Sequence, residues 1–184
     1  MYEVEVKAQL KDRQAVKGKL ESLGCVFGEE LHQVDTIFVP KGTPYPSPMD
    51  TPVLRVRRQN GKAILTLKIS QSSRQDCIEK ELEVADGNIM VDIIHLIGYE
   101  EFVAVVDKKR IKTHVGDMEV VLDEVKDLGE FIEVEKVVTE ADPAVRVKTQ
   151  DELYAFLETL GVSKEDHVIG GKYDIMLYEK LNSK

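Results

Sequence analysis

Glu3, Glu5 and Lys7 alternate with Val4 and Val6 in the opening EVEVK, so an extended strand here carries two carboxylates and an ammonium on one face and valines on the other. Carboxylates two residues apart on a strand are separated by roughly 6.6 Å of backbone, within reach for glutamate side chains to converge on one cation. Asp123 in VVLDEV and Glu133 and Glu135 in FIEVE repeat the arrangement. Oxygen-only donors suit Mg²⁺ or Mn²⁺ better than zinc, which makes Glu3, Glu5, Asp123, Glu133 and Glu135 a candidate metal-ligand set. The cations are sorted in the same way. Arg55 and Arg57 share one face of VLRVRR, Lys68 joins Thr66 in ILTLK, and Lys108 and Arg110 share one face of VVDKKRIK. Guanidinium forks and compact ammonium charges are phosphate ligands, so these five residues form a candidate polyphosphate clamp, with Lys7 where the two sets meet. A metal-bridged triphosphate satisfies both sets at once, and Lys7, Arg57 and Lys68 are the candidate catalytic cations.

The elements that must position these groups are mostly strands. Period-two alternation runs through YEVEVKAQL, HQVDTIFV, VLRVRRQ, AILTLKIS, IEKELEVA, FVAVVDKKRIKT, DMEVVLDEV and EFIEVEKV, which predicts eight strands. Asn60-Gly61 predicts a tight hairpin turn, and VGD at 115–117 a second. Amphipathic periodicity predicts three helices, about 11–23, 87–97 and 150–160, each followed by a glycine suited to a left-handed C-terminal cap (Gly24, Gly98, Gly161). The segment 40–52 holds five of the six prolines and reads as a long loop rather than a regular element.

Two arrangements account for the sorted faces. In one, the charged side of a sheet is solvated and the apolar side packs on the helices. In the other, the strands close into a barrel whose lumen is charged and whose apolar faces point outward under the helices. Eight strands are enough to enclose one small ligand, but like charges in a lumen need a compensating charged guest.

Composition narrows the function classes. At 184 residues the chain is expected to form one domain spanning 1–184. Its net charge of −9 argues against general nucleic-acid coating. No apolar run is long enough for a membrane span, and the start lacks a signal-peptide pattern, so a cytoplasmic protein is expected. Cys25 and Cys77 are isolated, and His32, His95, His114 and His167 are scattered without ligand spacing. Gly170-Gly171-Lys172 lacks the spacing of a phosphate loop, and the serines of SQSSRQD have no histidine at a suggestive position.

The ordered series ExExK at 3–7, QVDTIF at 33–38, LRVR at 54–57, LTLK at 65–68, VVDKKR at 105–110 and LDEVKDLGEFIEVE at 122–135 resembles the CYTH family of triphosphate tunnel metalloenzymes. The motif order looks closest to the class IV adenylyl cyclase-like branch. The resemblance implies an α+β fold, an eight-stranded antiparallel β-barrel (tunnel) with covering helices. It also implies that Glu3 and Glu5 bind metal (Mg²⁺ or Mn²⁺) with Asp123, Glu133 and Glu135, and that Lys7, Arg55, Arg57, Lys68, Lys108 and Arg110 bind the triphosphate. The expected activity is adenylyl cyclisation of ATP to cyclic AMP and pyrophosphate. The alternatives are hydrolysis of tripolyphosphate, thiamine triphosphate or a nucleoside triphosphate, and non-catalytic polyphosphate binding. Exposed strand edges leave room for a homodimer. Lys172 stands where the family often has serine before Tyr173, a departure that leaves the role of KYDIMLYEK open.

Overall fold

The computed structural model describes residues 2–102, 104–139 and 142–183. Its strands are β1 (Tyr2–Gln9), β2 (Leu31–Pro40), β3 (Val53–Gln59), β4 (Lys62–Ser73), β5 (Asp76–Val84), β6 (Tyr99–Glu101), β7 (Val106–Val115), β8 (Met118–Val125) and β9 (Gly129–Val138). Eight of them close into an antiparallel ring in the order β1-β9-β8-β7-β2-β3-β4-β5, with β5 returning to β1. The eight expected strands are therefore present. The sixth begins at Val106 rather than Phe102, and the ninth, β6, pairs with the end of β2; Val103, in the expected run, lies outside the described residues. The two predicted hairpins join β3 to β4 and β7 to β8. Asn60 and Gly61 at φ 48° and 79° form the first turn, which suits the right-handed twist of the flanking strands.

The helices are α1 (Arg13–Ser22), α2 (Gly87–Leu96), α3 (Pro143–Thr159) and α4 (Tyr173–Asn182). Gly24, Gly98 and Gly161 have φ of 87°, 94° and 80°, as expected of residues just past a helix end. After α1 and α3 the next amide closes the cap, Cys25 N–H to Leu20 O at 3.1 Å and Val162 N–H to Leu157 O at 3.2 Å. Two helical expectations need correction. α3 starts at Pro143, seven residues before the expected 150, because Asp142 accepts from the Ala144 amide and proline is favoured in the first turn. α4 was not expected as a helix: Lys172, its N-cap, makes no side-chain capping bond, and its apolar residues lack a clean stripe.

The core lies outside the ring. Val4, Val6, Val120, Leu122, Ile132 and Val134 on the outer faces of β1, β8 and β9 pack under Val16 and Leu20 of α1 and Leu153 and Leu157 of α3. Val56 and Phe38, flanked by Leu54 and Leu65, pack under Ile94 of α2. Because side chains alternate across a strand, burying these residues outward turns the charged partners inward. One end of the lumen is closed by α4, whose Tyr173 and Leu177 pack on Val106, Val125 and Phe131. The loop 41–52 leans on the same helix, where Tyr45 donates to Asp174 and its ring meets Phe102 and Tyr178.

Leu157 is fully buried between α3 and the outer face of the ring. Leu157→Ala is expected to lower unfolding stability by about 2–5 kcal/mol in a urea titration. A loss under ~1 kcal/mol would place the main core elsewhere.

Candidate active site

The lumen encloses a cavity of about 330 Å³ lined by Glu3, Glu5, Lys7, Arg55, Arg57, Lys68, Lys108, Arg110, Glu133 and Glu135. All were expected from sequence, and the closed ring brings them together. The remaining expected residue, Asp123, is fully buried behind this lining. Glu79 and Glu81 also line the lumen, while Glu83 pairs with Lys62 at the exposed rim. Lys172, Tyr173 and Asp174 at the start of α4, together with Asp35 and Lys112, were missed. Asp35 was legible from the parity of QVDTIF, which sets Gln33 and Asp35 on one face.

Around the ring the charges form two walls. Carboxylates come from β5, β1, β9 and β8, and cations mainly from β7, β3 and β4, so the walls meet at two seams, β4/β5 and β7/β8. At the first, Lys68 reaches Glu79 at 2.5 Å and Glu3 at 3.3 Å, and Arg55 reaches Glu81 at 3.1 Å and Glu79 at 3.5 Å. At the second, Arg110 forks onto Asp123 at 2.7 and 2.5 Å and also reaches Glu133 at 2.5 Å. Tyr173 donates to Asp123 at 3.0 Å, and Lys108 lies 3.6 Å from the same carboxylate. Lys7 pairs with Glu133 at 3.1 Å and sits over the Tyr173 ring. In the cationic wall, Asp35 takes both nitrogens of the Arg57 fork at 2.7 and 2.8 Å.

Titration follows position. Burial alone would raise the pKa of Glu79, Glu133 and Asp35, but neighbouring cations reverse it. Glu79 falls to about 2 beside Lys68 and Arg55, Glu133 is held well below the carboxylate range by Arg110 and Lys7, and Asp35 by Arg57 and Arg55. Lys108 is pushed down to about 7 by burial and by Arg110.

The middle of the acidic wall behaves oppositely. Glu5 and Glu135 are direct cross-strand neighbours, and with Glu3 they offer one oxygen each within 4.8 Å of one another. Among the described residues, neither Glu5 nor Glu135 forms an ion pair. Burial and then the charges of Glu3, Glu119 and Glu5 raise Glu135 to about 8; burial, opposed by Lys68 but reinforced by Glu79 and Glu5, raises Glu3 to about 7. Three clustered carboxylates short of positive charge are a donor set that fits a hard divalent cation. Asp123 and Glu133, expected in the same set, are instead engaged by Arg110, Lys7 and Lys108.

A carboxyl group whose pKa is raised on folding holds its proton more tightly in the native state, so stability falls as pH rises from the unfolded value towards the folded one. The metal-free chain is therefore expected to lose thermal stability from Glu135 as pH rises from about 4.5 towards 8, a window whose upper part overlaps the deprotonation of Lys108 near pH 7. Glu135→Gln should unfold at a higher temperature than wild type at pH 7 and show a flatter dependence over that window. Parallel pH curves for the two proteins, followed by circular dichroism, would refute the assignment.

Comparison with known proteins agrees with this architecture. A Methanocaldococcus jannaschii protein named as a candidate adenylate cyclase, MJ0240, is 29% identical over 175 residues, covering 94% of this chain and 97% of that protein. The solved structure of PH1819 from Pyrococcus horikoshii OT3 superposes with a TM-score of 0.80 at 26% identity, covering 97% and 99% of the two chains. HpAC1 from Hippeastrum, described as a candidate adenylyl cyclase with a dominant triphosphatase activity, shares the fold at a TM-score of 0.61 and 19% identity, covering 98% and 96%. The family model described as the CYTH domain matches residues 1–171, and the chain belongs to the CYTH family.

Proposed function

We propose that the protein is a divalent-metal-dependent enzyme that binds a triphosphate in the lumen and transfers its phosphoryl group to water. The observation that carries this reading is the juxtaposition of Glu3, Glu5 and Glu135, short of positive charge, with a facing wall of buried arginines and lysines. Mg²⁺ or Mn²⁺ held by Glu3, Glu5 and Glu135 would supply Lewis-acid neutralisation of phosphate oxygens. The chain's own groups do the positioning. Arg57, fixed by Asp35, and Arg110, fixed by Asp123 and Glu133, present oriented guanidinium groups at small reorganisation cost. Lys7 and Lys68 add ammonium charge close to the carboxylates. Near neutrality the Lys108 Nζ can hold or release a proton, which suits it to proton traffic at an attacking oxygen. Phosphoryl transfer depends chiefly on such positioning and charge stabilisation.

Hydrolysis is favoured over cyclisation by the lining aromatics. Tyr173 is engaged by Lys7, Lys108 and Asp123, and Tyr2 stacks with Arg146, so both lining tyrosines already have cationic partners that adenine stacking would have to share or displace. Cyclisation of ATP is the second reading, favoured by the end-to-end similarity to the M. jannaschii protein.

Incubation with Mg²⁺ or Mn²⁺ and, separately, tripolyphosphate, thiamine triphosphate and ATP, with products identified by mass, is expected to give orthophosphate. Cyclic AMP from ATP would select the second reading, and no turnover of any of the three would reduce the lumen to a binding site. Glu5→Gln should lower metal-dependent turnover by about 100-fold or more, the several kcal/mol expected for loss of Lewis-acid stabilisation, without loss of folding. Full activity in that variant would overturn the metal assignment.

A further inference from the structure

Glu79 and Glu81 of β5 line the lumen, so Ile78, Lys80 and Leu82 between and beside them lie on the outer face of the ring. α2 packs on β3 and β4, and α3 on β1 and β9, which leaves the outer face of β5 running between the two helices. Leu82 stands directly across from Leu65 of β4, and Ile78 from Ile69. Leu65 also joins the core under α2, which makes this strand face continuous with the helix. α2 in turn carries more apolar residues than it buries. Ile89, Ile93 and Ile97 recur every four residues on the flank away from His95, whose ring meets Phe38 and the Tyr99 carbonyl on the β2/β6 side. Leu96 widens the same strip.

Leu82, Ile89, Ile93, Leu96 and Ile97 are between 43% and 86% exposed. Together they present roughly 600 Å² of apolar surface, at the upper end for a monomer and most of the ~800 Å² that each partner of a stable interface buries. Two charges stand within the strip, one of each sign. Lys80 projects between Ile78 and Leu82, and Asp92 lies one turn before Leu96. Both are exposed, and among the described residues neither forms an ion pair. A second copy of the same face supplies an aspartate to Lys80 and a lysine to Asp92, because a two-fold interface makes every contact twice. A lipid surface suits the strip less well, since it lacks a cationic flank and the chain's charge of −9 repels anionic headgroups.

We propose that this face is the interface of a two-fold symmetric homodimer, in which α2 and the outer face of β5 pack on their counterparts in a second copy of the chain and Lys80 pairs with Asp92 of the partner subunit. The proposal stands apart from the reading of the lumen, because its residues lie on the side of β5 away from the cavity.

The test is sedimentation velocity of the full chain at concentrations from about 1 to about 100 µM, where micromolar or tighter self-association is visible. Wild type is expected to sediment as a dimer. Leu96→Glu places a charge at the centre of the apolar strip and should raise the dimer dissociation constant at least about 30-fold. Lys80→Glu and Asp92→Lys should each raise it about tenfold, and the two combined should return it to within about threefold of wild type, because the reversed charges pair again across the two-fold axis. All three side chains are exposed, so the variants should keep the wild-type circular dichroism spectrum. A wild type that stays monomeric at about 100 µM overturns the proposal, and one that instead binds phospholipid vesicles assigns the strip to a lipid surface. A dimer indifferent to Leu96→Glu, or a double charge reversal as weak as the single ones, overturns it equally.

Discussion

The constraint on which the structure depends is electrostatic: a closed ring that turns its charged faces inward must balance them within a few ångströms. The cavity lining holds eight cations and eight carboxylates, so the excess acidity of the chain lies elsewhere, and the lumen is formally neutral. Neutral overall is not neutral everywhere. Carboxylates and cations occupy opposite arcs, and ion pairs form where the arcs meet, at β4/β5 and β7/β8. Among the described residues, Glu5 and Glu135, on adjacent strands away from both seams, form no ion pair. The same geometry that satisfies Asp123 and Glu133 thus leaves the carboxylates on which the proposed divalent-ion site rests.

This partition explains why the hydrophobic core sits where it does. A charged lumen cannot contribute apolar burial, so the outer faces must, and α1, α2 and α3 cover them. Each valine packed under a helix fixes the direction of the acidic or basic residue beside it. Positional precision in the site is in this way a consequence of packing on the far side of the same strand. Closure of one end by α4 adds an aromatic inside the ring that is held by two lysines and a carboxylate, Tyr173.

Much of this was legible in the sequence because the strand period is two and the chain uses it consistently. EVEVK, LRVR, LTLK and FIEVE each state which residues share a face, and their ordered resemblance to the CYTH family implied that the faces turn inward. What periodicity could not supply was the position of a residue around the ring. Asp123 and Glu135 look equivalent in sequence, yet one faces Arg110 across a seam and the other faces Glu5 across a strand pair. Nor did periodicity reveal α4, whose helix is stabilised by tertiary contacts of Tyr173 and Leu177 with the end of the ring rather than by a cap or an amphipathic stripe. Lys172 therefore entered the lumen unannounced.

The central claim is that position on the acidic arc, rather than carboxylate chemistry as such, selects the metal ligands. Manganese titration followed by electron paramagnetic resonance tests it most directly, using Glu135→Gln and the isosteric Asp123→Asn side by side. Position-based selection predicts that Glu135→Gln weakens Mn²⁺ binding by at least about tenfold and that Asp123→Asn leaves it within about twofold of wild type. Equal losses in the two variants, or the larger loss in Asp123→Asn, would contradict it.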